Sequence, residues 1–289
     1  GTGTLTYQWQ RNTGSGYGPI AGATTSELAI SPATLADSGQ YRVIVTDDIA
    51  PATSPVALVN VVSTLTDVTS PNDLVTIVGT NTPAGEGVAN AIDNDTDKYL
   101  NFGLNDGSPF LGPVGLTVTP AAGPSVVTGL RVYTANDATE RDPADYKLEG
   151  SNNGTDFTTI STGTLLLPPD RNATGLSPLD PIAMFNWEAR FANASLYNTY
   201  RLTFTHVRND SAANSMQLAE VELLGTVLQL TVAANANGTL TLSSTVPGTL
   251  LSATNVAAPA WVPEGPITGN VIITPAPGVP AKFYRVSVP

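Results

Sequence analysis

The sequence contains no cysteine and only one histidine among its 289 residues. The lack of cysteine excludes disulfide bonds, thiolate catalysis and cysteine-based zinc sites. The single histidine excludes Cys/His chemistry and His-rich metal sites. A Ser-His-Asp triad would depend wholly on His206, and no Gly-x-Ser-x-Gly motif is present to hold its serine. We therefore expect a protein that is not an enzyme.

Charged residues are also scarce, at 12% of the chain, which is about half of the usual share. Lys and Arg number 12 against 24 Asp and Glu, so the net charge is −12. Nucleic-acid binding needs clustered Lys and Arg, and this balance argues against it. No run approaches the roughly 18 apolar residues of a membrane span. An acidic chain of this kind suits an extracellular location.

Turn-forming residues are abundant: 26 glycines and 23 prolines are spread throughout the chain. Between them lie short stretches in which apolar and polar residues alternate, and no stretch shows sustained helical periodicity. This pattern predicts an all-β protein. We divide it into three consecutive β-sandwich modules at residues 1–62, 63–226 and 227–289.

The first module carries the motif of an immunoglobulin-like domain. Trp9 lies at the centre of an alternating strand, and Leu28 and Ile30 predict a second strand. The run Asp37-Ser-Gly-Gln-Tyr41 matches a tyrosine corner. On these residues the module resembles a bacterial immunoglobulin-like domain, and the resemblance implies that Trp9 is the core tryptophan of strand C.

Such a sandwich carries two strands, together roughly 25 residues, before its tryptophan. Only eight residues precede Trp9 here, which is too few for both strands. A sandwich without these strands exposes an apolar face and an unpaired strand edge. Three explanations stay open. The chain is a fragment of a longer protein, the strands come from elsewhere in this chain, or another copy donates them in trans.

The second module resembles the galactose-binding-like jelly roll of discoidin and F5/8 type C domains and of family 32 carbohydrate-binding modules. The resemblance rests on an ordered set of segments along residues 63–226, namely 89–102, 126–137, 140–143, 146–154, 200–204 and 216–225. It implies a β-sandwich, which hosts sugar-binding, lipid-binding, protein-binding and structural roles.

The third module contains short alternating strands and ends in the strand Phe283-Tyr-Arg-Val-Ser-Val288. It resembles small C-terminal β modules of exported bacterial proteins. A module of about 63 residues buries only a marginal core by itself. We therefore expect it to dock against the jelly roll or against a neighbouring molecule.

A loop in the second module is the best candidate for a metal site. Asp93, Asp95 and Asp97 place carboxylates at every second position, and such carboxylates converge on one point when the backbone curls. In the domains that this module resembles, the corresponding loop holds a structural Ca²⁺ with a glutamate from the closing strand, here Glu220. The alternative is a solvated Asn/Asp turn without an ion.

A sugar site, if the module has one, is expected on two of its loops. The candidate ligand-binding residues are Asn136, Glu140, Arg141, Asp142, His206, Arg208 and Asn209. Amides, guanidinium groups and carboxylates supply the forked donors and acceptors that sugar hydroxyls need. The alternative roles are a loop-fixing Arg141–Asp142 ion pair and a His206 side chain that is a satisfied polar group.

Two functions from different classes follow. The first is a subunit of an extracellular or cell-surface bacterial fibre, in which copies join head to tail by strand complementation. It rests on the strands missing before Trp9. The second is a carbohydrate-binding accessory module of a larger secreted protein, with polysaccharide as its partner. The sequence favours the first modestly.

Overall fold

The computed structural model describes residues 3–14, 16–257, 259–275 and 281–288, and its strands confirm the predicted all-β class. Three short 3₁₀ turns interrupt the strands at Leu35–Asp37, Val88–Ala91 and Thr139–Arg141. Within the described residues, no helix has both the length and the apolar character needed to cross a membrane.

Five strands near the N-terminus form one sheet. They are β1 (Thr6–Asn12), β2 (Gly18–Pro19), β3 (Gly39–Thr46), β4 (Pro51–Thr53) and β5 (Ala57–Val59). The order is β2-β1-β3-β4, and β5 also pairs with β3. No strand from another described part of the chain pairs with this sheet.

The predicted strand at Leu28 and Ile30 is wrong, because this segment runs as irregular backbone. Just before it, the carbonyl of Thr25 accepts the indole N–H of Trp9 over 3.0 Å. Trp9 is half-buried rather than enclosed in a core. Tyr41 is buried, and its hydroxyl donates to the Asp37 carbonyl over 2.6 Å.

Eleven strands build the jelly roll. They are β6 (Thr66–Asp67), β7 (Leu74–Val78), β8 (Tyr99–Asn101), β9 (Val114–Thr119), β10 (Ser125–Tyr133), β11 (Asp145–Ser151), β12 (Thr158–Thr164), β13 (Asn186–Arg190), β14 (Thr199–Phe204), β15 (Met216–Leu218) and β16 (Val221–Val227). One sheet has the order β13-β10-β16-β6, and the other has the order β12-β11-β14-β9-β7. Strands β8 and β15 form a separate pair.

The two large sheets enclose the main hydrophobic core. Leu130 and Leu223 face it from the first sheet, and Leu116, Leu148 and Leu202 face it from the second, all at most 1% exposed. Because side chains alternate along each strand, every second residue of a sheet faces the core between the two sheets and the others face outward. The core therefore fixes where the loops at the strand ends lie.

The C-terminal strands form two three-stranded sheets. They are β17 (Leu230–Ala234), β18 (Leu240–Ser244), β19 (Gly248–Ala253), β20 (Val262–Ile267), β21 (Asn270–Ile273) and β22 (Phe283–Ser287). The orders are β17-β18-β21 and β20-β19-β22. Among the described residues of these two sheets, Leu242, Leu250 and Ile267 form the buried apolar cluster. The Leu228 N–H donates to the Pro124 carbonyl over 2.8 Å, so this pair of sheets abuts the jelly roll.

Candidate functional site

The loops that follow β10 and β14 lie side by side. The Arg208 N–H donates to the Asp142 carbonyl over 2.8 Å, and the Asn209 N–H donates to the Glu140 carbonyl over 3.1 Å. The structure thus brings the two predicted groups of ligand-binding residues together. We call their solvent-facing part the loop rim; it comprises Asn136, Glu140, Arg141, His206, Arg208 and Asn209.

His206 is a well-exposed residue of the loop rim, with 62% of its side chain accessible to solvent. Its Nδ1 lies 2.8 Å from Oδ2 of Asp210. This hydrogen bond is the main reason that the pKa of His206 is raised above its ordinary value. Asn136, Arg208 and Asn209 are also exposed. The rim thus presents amide, imidazole and guanidinium groups to solvent.

Asp142 is not on the rim, because its side chain is buried beneath it at 1% exposure. Arg171 binds its two carboxylate oxygens in parallel at 2.6 and 2.7 Å, and Arg208 adds a bond of 3.0 Å. Burial raises the pKa of Asp142, and the two guanidinium groups offset part of this effect. The predicted Arg141–Asp142 ion pair is wrong, since Asp142 turns inward at the end of the 3₁₀ turn.

Sequence reasoning missed two residues that position the loop after β10. Arg171 lies in the long segment between β12 and β13, where no periodicity marks it. Gln217 is fully buried, and its amide N–H group donates to the carbonyls of Asp137 and Ala138. Its only sequence signal was a polar residue inside an otherwise apolar strand.

The segment between β12 and β13 also contacts the loop that holds Asp93, Asp95 and Asp97, which we call the acidic loop (residues 93–97). The Thr96 hydroxyl donates to the Ala173 carbonyl over 2.5 Å and accepts the N–H of Leu176 over 2.8 Å. The Ser177 hydroxyl donates to the carbonyl of Asn94. The acidic loop and the loop rim are therefore tied to one shared segment.

Hydrogen bonds between carboxylates and backbone N–H groups link Asp93, Asp95 and Glu220, which are three of the four predicted metal ligands. Glu220 is fully buried, and its two oxygens accept the N–H groups of Asp93 and Asn94 over 3.1 and 3.3 Å. Oδ1 of Asp93 accepts the N–H of Asp95 over 3.0 Å. The structure places Asp97 near enough for its charge to act on Asp93.

Burial and neighbouring carboxylates, with no cation among the causes, shift the pKa values of Glu220 and Asp93. Burial first, and then the charge of Asp93, raises the pKa of Glu220 to about 10. Burial likewise raises the pKa of Asp93 to about 6, with Asp95 and Asp97 adding to it. Oδ1 of Asp95 is buried and has no hydrogen-bond partner among the described residues.

The carboxylate oxygens of these residues could supply some, but not all, of the ligands of a hard cation. In the described ranges, no three His, Cys, Asp or Glu side chains form a ready-made metal cluster. Backbone carbonyls would therefore have to complete the shell, as they commonly do for Ca²⁺. The unpartnered Asp95 oxygen and the raised pKa values are what an oxygen-ligated cation would relieve.

No family profile matches the chain, and no curated protein matches it. Similar solved structures include CpGH89CBM32-5 from Clostridium perfringens in complex with GalNAc-beta-1,3-galactose. This structure is 16% identical with a TM-score of 0.38, over 53% of this chain and 96% of that one. The family 32 module of NanJ from C. perfringens, in complex with galactose, is 16% identical with a TM-score of 0.38, over 52% and 92%. The family 32 module of Streptococcus pneumoniae EndoD is 11% identical with a TM-score of 0.39, over 56% and 100%.

The loop rim is chemically suited to recognise hydroxyl groups. The amide of Asn136 offers a donor and an acceptor, whereas the amide of Asn209 offers its donor, because its oxygen accepts from Ser211 and Ala212. The imidazole of His206 is oriented by its bond to Asp210. Arg208 is held in place because its guanidinium also donates to the Leu167 carbonyl over 2.7 Å. Groups that are already fixed lose little entropy when a ligand binds.

Proposed function

We propose that this chain is a non-catalytic carbohydrate-binding module that binds sugar at its loop rim. One observation carries the proposal: two loops distant in sequence lie side by side, expose hydroxyl-recognising side chains and are tied to a buried ion pair. Small-molecule sites combine a fixed scaffold with a few placed polar groups. The acidic, cysteine-free chain fits an extracellular accessory of a larger secreted protein, with polysaccharide as its partner.

Sugar binding should depend on the exposed rim side chains. In the double variant His206→Ala/Asn209→Ala we expect at least about a tenfold loss of affinity, because two hydrogen-bonding groups are removed. The similar modules were solved with galactose and with GalNAc-beta-1,3-galactose, which makes these sugars the first probes for calorimetric titration.

Asn270→Ala supplies the control, since Asn270 is an exposed residue of the C-terminal sheets. It should leave the affinity unchanged. If the double variant binds as tightly as the native chain, the loop rim is not the sugar site and the proposal fails.

The proposal includes a structural Ca²⁺ held by Asp93, Asp95 and Glu220, with Asp97 nearby. Ca²⁺ would supply the positive charge that this buried loop lacks. A ligand that binds only the folded state stabilises it by about 2.7 kcal/mol at a concentration about 100 times its dissociation constant.

Removing Ca²⁺ should therefore lower the melting temperature. We expect a chelator to reduce the Tm of the native chain and added Ca²⁺ to restore it. The variant Glu220→Gln, which removes the charge and keeps the shape, should melt at the same temperature with and without chelator. Equal Tm values for the native chain under both conditions would show that the loop is a solvated turn.

The fibre hypothesis stays a prediction with narrower support. Tyr7, Trp9 and Val43 lie on the same face of the N-terminal sheet and are only half-buried, which leaves room for another chain. Long regular fibres in electron micrographs of the purified protein would favour this hypothesis. A monodisperse monomer that binds sugar would exclude it.

A further inference from the structure

Arg141 is left without a partner by the arrangement of the loop rim. The carboxylate of Asp142, its neighbour in sequence, turns inward and pairs with Arg171 and Arg208. Among the described residues, no oxygen accepts a hydrogen bond from the Arg141 guanidinium and no aromatic ring lies against it. A side chain that was expected to form an ion pair within the protein is therefore available to a partner from outside.

An unpaired arginine is unusual in this chain, which has 24 acidic residues for 12 basic ones. In the part of the chain that the structure describes, every other basic side chain except Arg285 pairs with a carboxylate or donates to another oxygen. Arg285 is stacked on Trp261, with its guanidinium carbon 4.4 Å from the ring centroid. Arg141 has neither kind of contact, and it lies on a candidate binding surface.

The terminal nitrogens of Arg141 can be reached by a ligand. The residue is partly exposed, and of its guanidinium nitrogens only Nε is buried without an acceptor in the described ranges. Nη1 and Nη2 therefore form a fork that is open to solvent. A guanidinium that is partly withdrawn from water and has no acceptor is unfavourable. A carboxylate that bonds both terminal nitrogens in parallel would relieve it, because the two planar groups match in geometry.

The groups beside Arg141 are also mainly donors. The carbonyls of Glu140 and Asp142 accept the backbone N–H groups of Asn209 and Arg208, so Arg141 lies next to both. The amide oxygen of Asn209 already accepts from its own loop, which leaves Nδ2 to donate. Arg208 bonds only through Nη2, and its other guanidinium nitrogens have no acceptor among the described residues. A surface of this kind favours a ligand that is rich in acceptors.

Glu140 is the one carboxylate of the loop rim, and its charge opposes an anionic ligand. It is partly exposed, and no ion pair joins it to Arg141 or to another described basic side chain. Its repulsion of an anion acts through water and is screened by salt. The fork of Arg141 binds in direct contact, so we expect the attraction to exceed this repulsion.

We propose that the loop rim binds a sugar that carries a carboxylate, as a uronic acid does, and that Arg141 binds this carboxylate. The inference rests on the proposed function, because it requires that sugar binds at the loop rim. His206 and Asn209 bind hydroxyl groups of the same ring. Arg141 is then the residue that distinguishes the acidic sugar from its neutral counterpart.

Galactose and galacturonic acid provide the test, because they differ only in the hydroxymethyl group that is a carboxylate in the acid. Calorimetric titration of the full chain at neutral pH gives the ratio of their affinities. The acid should bind at least about tenfold more tightly, and Arg141→Gln should remove this preference. Glu140→Gln should increase the preference, since it removes the repelling charge. Added salt should reduce it.

Arg285→Gln is the matched control, since it makes the same change of residue and charge on an exposed side chain of the C-terminal sheets. It should leave the ratio of affinities unchanged. A drop as large as that of Arg141→Gln would show that only the net charge of the chain matters, and would overturn the inference. Arg141→Lys keeps the charge without the fork and should retain only part of the preference. Thermal melts check that each variant folds.

The inference and the proposed function fail separately. If both sugars bind equally, or if Arg141→Gln leaves the ratio unchanged, Arg141 does not bind a carboxylate and the inference is overturned, while the loop rim stays the proposed sugar site. If neither sugar binds, or if His206→Ala/Asn209→Ala leaves the binding of both intact, the loop rim is not the sugar site and both proposals fail.

Discussion

Arg131→Met should lower the free energy of unfolding by about 3–5 kcal/mol, because it removes the guanidinium group that pairs with two buried carboxylates. Arg131 lies opposite Glu188 and Glu222 on the strands to either side. All three residues are at most 9% exposed. Burial acts to lower the pKa of Arg131, but the two glutamates outweigh it and the net pKa is raised.

The same arginine fastens the segment that leads from the N-terminal sheet into the jelly roll. Its Nη2 donates to the Ser63 carbonyl over 3.2 Å, while Glu188 accepts the N–H of the same residue. Loss of Arg131 should therefore expose this segment to proteases as well as lowering stability. Guanidinium denaturation and limited proteolysis measure the two effects.

Combining Arg131→Met with Glu188→Gln and Glu222→Gln should recover at least about half of the lost stability, because no unpaired charge then remains buried. Lys147→Ala, which removes a half-exposed ion pair with Glu149, should barely change the denaturation midpoint. A single variant no less stable than the triple variant would show that the loss does not come from buried charge left without Arg131.

The all-β class followed from the sequence because alternation and turn residues are local signals. Leu130 and Val132 alternate with Arg131 along β10, and both are fully buried, as the period of two requires. The same signal failed at Leu28 and Ile30. Two apolar residues spaced by two do not make a strand when no neighbouring strand is available to pair with them.

The sequence identified the hydrogen-bonding residues of the loop rim but not which of them face solvent. Donors and acceptors follow from residue type alone, and the structure brings the two loops together. Whether Asp142 faced outward could not be read, because its inward turn depends on Arg171, which approaches from a segment without periodicity. Nor did any local pattern mark Glu188, whose burial comes from the packing of another module.

Asp142→Ala is the second change that should have a large effect, and it tests whether the loop rim depends on what lies beneath it. Removing this carboxylate leaves Arg171, with only 17% of its side chain exposed, without its bidentate partner. Breaking a buried pair of this kind costs about 3–5 kcal/mol. We expect a loss of that size in the free energy of unfolding, measured by guanidinium denaturation.

The variant should also weaken sugar binding at the loop rim, although Asp142 is too deeply buried to touch a sugar. Arg208 would lose one of the contacts that fix it, and the segment carrying Arg171 would lose its ion pair to the loop after β10. Arg171→Ala should reproduce both effects, since it breaks the same pair from the other side. If folded Asp142→Ala binds galactose with native affinity at low temperature, the ion pair supports the fold alone and the rim is positioned by its backbone bonds.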